Sequence, residues 1–508
     1  MLEFVGSIKD PIISIRIGPI WLSDTNMINL PLDGEGSLQQ QIYRALRLNI
    51  STGRMSAGSR LAPSRMLASE LAVSRNTVVA AYEQLCAEGY AETQPGSGTF
   101  VAAVQVEPVQ SLLGEIEPLW SEYSKRVAEV PDHSLFRASP AKLRYDFLYG
   151  EPGYLDLPIE QWARIIGKKA RGLTEAQLGY APAGGLPILR RVLAEYLQRS
   201  RGVSCDPEQV MIVQGTQEAI ELVTRAFVEP GSIAVIEEPH YRGFERCLRA
   251  AGADIVAVPV DDVGLQTSVL KTIERARVAY TTPSHQFPTG SVFSLQRRVA
   301  LLTWAAANQT VILEDDYDGE FRYEGRPIPS MQSLDRRGCV IYVGTASKVL
   351  FPSLRLGWMV VPKAMVPMFQ RMKAMSDRNC STLEQLAFAE FVSNGYLERH
   401  IHRARKKHRV RRAILLDTLQ QELGERAEVV GTHAGIHILL RLKQVPLVNI
   451  DTLIQQAAVN GVGVYSAAPY YLKPPPYVEL LLGYASLTPA QIKTGICKLA
   501  GVVRALSA

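Results

Sequence analysis

The chain has 508 residues, 47% hydrophobic and 21% charged, with a formal net charge of +5. That composition excludes wholesale disorder, and the length exceeds one ordinary core, so two or three domains are expected. A charge this mild permits a nucleic-acid partner without arguing for one.

No run of eighteen uncharged apolar residues occurs, so no membrane span is expected. The N-terminus "MLEFVGSIKDPIISIRIG" lacks a basic start, a long apolar stretch and a small-residue cleavage site. It does not read as a signal peptide, and a cytoplasmic protein is expected. Six scattered cysteines form no C-x-x-C pair, and the histidines show no metal-ligand spacing outside one basic run. Reduced thiols are expected, with neither a disulfide framework nor a metal.

Residues 1–35 are an N-terminal extension without clear period. Residues 36–103 read as a compact unit. Leu38, Ile42, Leu46 and Ile50 recur at helical spacing, and Gly53 stops that helix. Two further helices follow, broken at "AVS", with Ser64 and Ser74 as their caps. "YAETQPGSGTFVA" closes the unit as two short strands around a Pro-Gly-Ser-Gly turn. Three helices and a β-ribbon make a winged helix-turn-helix. The last helix begins with Ser74, Arg75, Asn76 and Thr77, donors that reach base edges or phosphates in a major groove. Val78, Val79, Tyr82 and Leu85 face the unit's own core. Six arginines against Glu70, Glu83, Glu88 and Glu92 leave the unit only mildly basic. The arrangement, more than the charge, points to DNA.

Four prolines among mixed charges mark 104–145 as a linker, with one helix near 112–129. From 146 to 508, apolar strand-like runs alternate with helical patterns: "VMIV" 210–213, "IAVIEE" 233–238, "IVAVPV" 255–260, "VAYTTP" 278–283, "VILEDD" 311–316 and "CVIYVG" 339–344. Strands separated by helix-length segments predict βαβ units and a mostly parallel sheet.

Lys348 follows one such strand, beside Thr345 and Ser347, in an otherwise apolar run. A lysine that burial desolvates can form a Schiff base with pyridoxal 5′-phosphate (PLP). The phosphate would need cations and N–H donors. Arg355 offers a guanidinium fork, and the Gly215-Thr216-Gln217 turn opens a helix after "VMIV". Asp315 ends a strand, where it can keep the pyridine nitrogen protonated. Tyr317 can bond the ring's phenolic oxygen, and Tyr241, after another strand, can stack on the ring. The basic run 399–412 holds eight lysines or arginines and no acid. It reads as a solvated helix face or as a second DNA-contacting surface.

Two resemblances follow. Residues 36–103, with the SR-x-T helix start and the G-x-G-T-F-V wing, resemble the GntR-type winged-helix domain. That implies DNA contacts from Arg65, Arg75, Asn76, Thr77 and the wing glycine Gly96. The segments "LGYAPAGGLPILRRVLAEYL", "EEPHYRGF", "PSHQFPTG", "EDDYDGEF" and "TASKVLFPSLRLGW" resemble fold-type I aminotransferases. The resemblance implies an internal aldimine at Lys348, Asp315 at the pyridine nitrogen, Tyr317 at the phenolic oxygen and Tyr241 stacked on the ring. It also implies a phosphate held by Thr216, Gln217, Thr345 and Arg355. Tyr180 would reach a partner subunit's phosphate, so a homodimer is implied. The combination is similar to the MocR/GabR family of PLP-dependent transcription regulators, in which a small amino-compound effector would form an external aldimine.

Two departures matter. Phe287 stands where aminotransferases have asparagine before "PTG", so a contact to the ring oxygen is lost or moved. No arginine lies in "VELLLGYASL" 478–487, where one clamping a substrate carboxylate is expected; Arg242 and Arg322 are the substitutes available. Transamination is therefore expected to be absent or partial. The alternative reading is an active aminotransferase with an autoregulatory DNA-binding head.

Overall fold

The computed structural model describes residues 19–22, 26–103, 118–130, 143–323, 328–431 and 434–507. The chain divides into two compact units, Met1–Leu119 and Trp120–Ala508. Among the described residues, no helix is long and apolar enough to cross a membrane.

The first unit opens with a hairpin of β1 (Pro19–Leu22) and β2 (Asn26–Asn29). Three helices follow: α1 (Leu38–Ser51), α2 (Ser64–Glu70) and α3 (Arg75–Ala87). The wing is the antiparallel pair β3 (Ala91–Gln94) and β4 (Gly98–Val101). Ser37 and Gln40 close α1 in a capping box, which satisfies two N–H groups that the first turn leaves free. Ile42, Leu46, Ile50, Val78, Ala81, Tyr82 and Leu85 form the core with Leu61 and Leu67, while Leu38 is exposed. Val79 is half-buried, and Ala81 takes the inner position expected of it. Leu30 also enters this core, so the extension's last residues pack with the helices. One cap differs from expectation. Ser64 lies inside α2, whose N-cap is Pro63 and makes no side-chain bond. Ser74 does cap α3, accepting from Thr77 N–H at 3.1 Å.

The second unit begins with α4 (Glu122–Glu129). The expected helix near 112–129 is thus present in its second half, and residues 112–117 lie outside the described residues. Arg126 Nε donates to the Ala250 carbonyl at 2.8 Å, which ties α4 to the large unit. Then come β5 (Tyr145–Asp146), α5 (Ile159–Arg171), α6 (Glu175–Leu178), α7 (Pro187–Arg201), β6 (Val210–Val213) and α8 (Thr216–Phe227). The chain continues through β7 (Ile233–Glu238), α9 (Arg242–Ala251), β8 (Asp254–Asp261), β9 (Gly264–Leu265), β10 (Val278–Thr281) and α10 (Leu295–Asn308). Next are β11 (Val311–Asp315), β12 (Val340–Thr345) and β13 (Gly357–Val360).

These strands form an eight-stranded sheet in the order β6-β13-β12-β11-β10-β7-β8-β9. Pairs β12/β11, β11/β10, β10/β7 and β7/β8 are parallel; β13 runs antiparallel to both β6 and β12. β6, β10, β11 and β12 are buried at every position. Strands covered on both faces read as continuous apolar runs, which is why their sequence spans were so close to the observed ones.

The remainder differs from a simple βα alternation. Helices α11 (Val366–Ser376), α12 (Thr382–Ser393) and α13 (Tyr396–Leu423) lead into β14 (Ala427–Val430) and β15 (His437–Leu442). Then follow α14 (Ile450–Val459), β16 (Val462–Gly463), β17 (Tyr465–Ser466), β18 (Val478–Gly483) and α15 (Pro489–Leu506). β14, β15, β18 and β17 make a second, antiparallel sheet, and β16 pairs with β5. The basic run lies on α13. Arg405 and Arg409 donate to the carbonyls of Glu320 and Tyr323, and Lys407 and Arg411 pair with Asp156. Half of that run therefore fastens the helix to its own unit, while Arg399, Arg403 and Lys406 remain exposed.

Candidate functional site

Strand ends bring the predicted residues of the large unit together. The sharp turn after β6 puts Gly215 at φ +100°, as the N-cap of α8. A side chain there would meet the Arg355 guanidinium at 3.4 Å, and one at Gly357 would meet the Gly215 backbone at 2.9 Å. The positive φ at Gly215 and the close approach at Gly357 both favour glycine, and the turn opens α8, whose first N–H groups suit an anion. β11 ends on Asp315, β12 ends on Thr345, and Lys348 follows three residues later. Arg355 itself takes a left-handed backbone, φ +49°, uncommon for a non-glycine residue.

One cavity of about 260 Å³ joins these parts. Thr216, Gln217, Tyr241, Asp315, Tyr317, Thr345, Lys348 and Arg355 all line it. Gly215, next to Thr216, is not among the lining residues. Tyr180 is not among the lining residues: it is 81% exposed, with the Arg378 guanidinium 5.1 Å from its ring centre.

Lys348 Nζ donates to the Gly150 carbonyl at 2.6 Å. Burial lowers its pKa, partly opposed by Asp318, Asp315 and Glu151. A less basic amine is free to act as a nucleophile. Asp315 is 4% exposed; Tyr280 donates to its Oδ2 at 2.7 Å, while Oδ1 is buried without a hydrogen-bond partner. Burial pushes this carboxyl up to about 7. A buried acceptor left unpaired is costly, and a protonated ring nitrogen would satisfy it. Tyr241 stacks on Tyr280, rings 6.1 Å apart and inclined by 20°, which sets its plane against the cavity. His285 Nδ1 lies 2.9 Å from both Tyr317 Oη and Asp318 Oδ2. This contact orients Tyr317 on the side where Phe287 has replaced the expected asparagine.

Several lining residues carried no sequence signal: Tyr149, Gly150, Tyr280 and His437; Tyr470 lines the cavity as well. Phe287 was visible only as a departure, and it lines the cavity with them. The segment without the carboxylate-clamping arginine is β18. There Leu481 is fully buried beside Phe287, Leu439, Ala467 and Tyr470. Arg242 and Arg322 are not among the lining residues.

In the first unit, α2 and α3 start side by side: Arg75 Nε donates to Ser64 Oγ at 3.4 Å. Arg65, Arg75, Asn76 and the wing-tip Gly96 are exposed, and Thr77 is half-buried. Ser74 Oγ is engaged by the Thr77 N–H and lies 2.8 Å from its hydroxyl, so its principal work here is capping.

A cup for a phosphate, a lysine with lowered basicity and a carboxylate awaiting a ring proton fit PLP. With the winged helix, they define a DNA-binding regulator built on an aminotransferase fold. Comparisons with known proteins agree. Residues 150–498 match the family model for aminotransferase class I and II, and residues 38–101 that for bacterial regulatory proteins of the gntR family. The probable rhizopine catabolism regulatory protein MocR of Rhizobium meliloti is 36% identical over 94% of this chain and 96% of its own. The pyridoxine biosynthesis transcriptional regulator PdxR of Corynebacterium glutamicum is 30% identical over 86% of this chain and 89% of its own. The α-aminoadipate aminotransferase LysN of Thermus thermophilus, solved with N-(5′-phosphopyridoxyl)-L-leucine, superposes with a TM-score of 0.69 at 26% identity. That match covers 76% of this chain and 97% of LysN. The chain belongs to the MocR/GabR family of PLP-dependent transcription regulators.

Proposed function

We propose that the large unit senses a primary amine through Lys348 and passes the result to the winged helix. The observation that carries this reading is Lys348 facing a cavity it shares with the unpaired Asp315 oxygen. When bound, PLP supplies an electrophilic carbon at which an incoming amine can replace the Lys348 nitrogen. In this reading Asp315 holds a proton on the ring nitrogen, and Tyr317, steadied by His285, faces the phenolic oxygen. Tyr241 covers the ring face. Gly215, Thr216, Gln217, Thr345 and Arg355 take the phosphate. A Lys348 side chain no longer held in the site would be free to repack, which would change the large unit's preferred state. Such a switch works only if the ligand binds one state better than the other.

The DNA-binding head spans 36–103 in this reading, the linker 104–145 and the effector domain 146–508. Arg65, Arg75, Asn76, Thr77 and Gly96 contact DNA, with Ser74 holding the helix end that presents them. The exposure of Tyr180 supports a homodimer in which that residue meets the partner's phosphate. A DNA target supports the expected cytoplasmic location.

The test uses PLP-loaded protein and DNA that it selects from a random-sequence pool. Amines that change the visible spectrum are expected to change DNA affinity at the same concentrations. Spectral change without any change in DNA affinity would sink the sensing role. Release of a keto acid at each turnover would instead favour an aminotransferase, a reading that the intact Lys348, Asp315 and Tyr317 set also accommodates.

A further inference from the structure

We infer that the amine recognised at Lys348 carries no carboxylate or other acidic group, its body being apolar or aromatic. This rests on the reading of Lys348 as the amine-sensing site. The charged groups that line the cavity are each committed. Lys348 is the reacting nitrogen. Arg355 stands over the Gly215 cup, at the phosphate end. Asp315 would serve the ring nitrogen.

What remains for the ligand's body is the wall of Tyr149, Phe287, His437 and Tyr470, next to the Gly150 carbonyl that holds Lys348. Phe287 organises this wall. Its ring meets Tyr470 edge-on at 4.9 Å, His437 at 5.5 Å and Tyr149 at 6.3 Å. Leu439, Ala467 and Leu481 close the wall from behind. The Tyr149 and Tyr470 hydroxyls bond to each other, so they satisfy part of their own demand. His437 offers no charge: burial, with His285 beside it, lowers its pKa to about 3.

Among the described residues, no lining cation is left for an anion. Arg242 acts electrostatically on Tyr149 and Tyr470 but does not line the cavity. A carboxylate brought against this wall would lose its water without gaining a partner. An apolar or aryl body instead gains contact with aromatic rings and leaves no polar group stranded.

The experiment titrates the visible spectrum of the PLP-loaded full-length protein with 2-phenylethylamine, L-phenylalanine, 4-aminobutyrate and taurine. Each is normalised to its own reaction with free PLP, which removes differences in amine basicity. The expected result is half-saturation by 2-phenylethylamine at a concentration lower by at least about tenfold than for L-phenylalanine, with the two acidic amines no better. The same order is expected in Arg242→Gln. Equal or tighter response to L-phenylalanine, 4-aminobutyrate or taurine overturns the inference. If Arg242→Gln then abolishes that response, Arg242 is the anion clamp. A spectrum that answers to none of the four overturns the amine-sensing reading itself.

Discussion

Asp315 illustrates a residue whose stability cost is its function. Its carboxyl is buried, with a pKa raised from 3.8 to about 7 and one oxygen unpartnered. The raised value means that the folded apo protein keeps this proton after the unfolded chain has lost it. Between about pH 4 and pH 7 the unfolded state gains stability relative to the folded one, and the apo protein weakens as pH rises. Asp315→Asn removes the titration. Denaturation of apo protein should show the variant gaining on the parent by on the order of 4 kcal/mol as pH rises from 4 to 8. A constant gap across that range would contradict the assignment. The same variant should retain PLP less well, because a neutral amide does not hold a proton on the ring nitrogen. Lys348, Asp315, Tyr317, Arg355 and the Gly215 turn were legible in the sequence because each follows a strand in a short, dense motif. Tyr149, Tyr280 and His437 were not. They come from distant segments and carry chemistry only through whom they touch: Tyr280 through Asp315, and Tyr149 through Tyr470.

At the scale of elements, legibility followed burial. β6 and β7 match their sequence spans end for end, because unbroken apolar runs bounded by turns have one good reading. β13 was missed: "GWMV" sits inside a functional motif, and nothing local shows that it runs antiparallel between β6 and β12. The second sheet was missed for a related reason. β14/β15 and β17/β18 are short antiparallel pairs of near neighbours, and β15 meets β18 across the intervening α14, so the sheet leaves no βαβ rhythm. Ser64 shows the limit of cap reading, since Pro63 takes the boundary position one residue earlier. The α3 end separates stability from recognition. Ser74→Ala should cost about 1 kcal/mol of head stability through the lost cap, read by thermal unfolding. Arg75→Ala should leave melting nearly unchanged yet weaken DNA binding and flatten its salt dependence. Equal loss of stability in both would show that Arg75 is structural, through its bond to Ser64.

For the whole molecule, the fold joins two capacities that neither unit has alone. The head offers a capped helix end with exposed Arg75 and Asn76; the large unit offers a cavity lined by Lys348 and Asp315. In the proposed function, Lys348 couples them. The most direct test is Lys348→Ala, read in two channels: visible absorbance after loading with PLP, and DNA affinity with and without an amine that shifts the parent protein. Such coupling predicts that the variant loses the absorbance, still binds DNA, and no longer answers to the amine. An amine-dependent change in DNA affinity that survives in Lys348→Ala would contradict it.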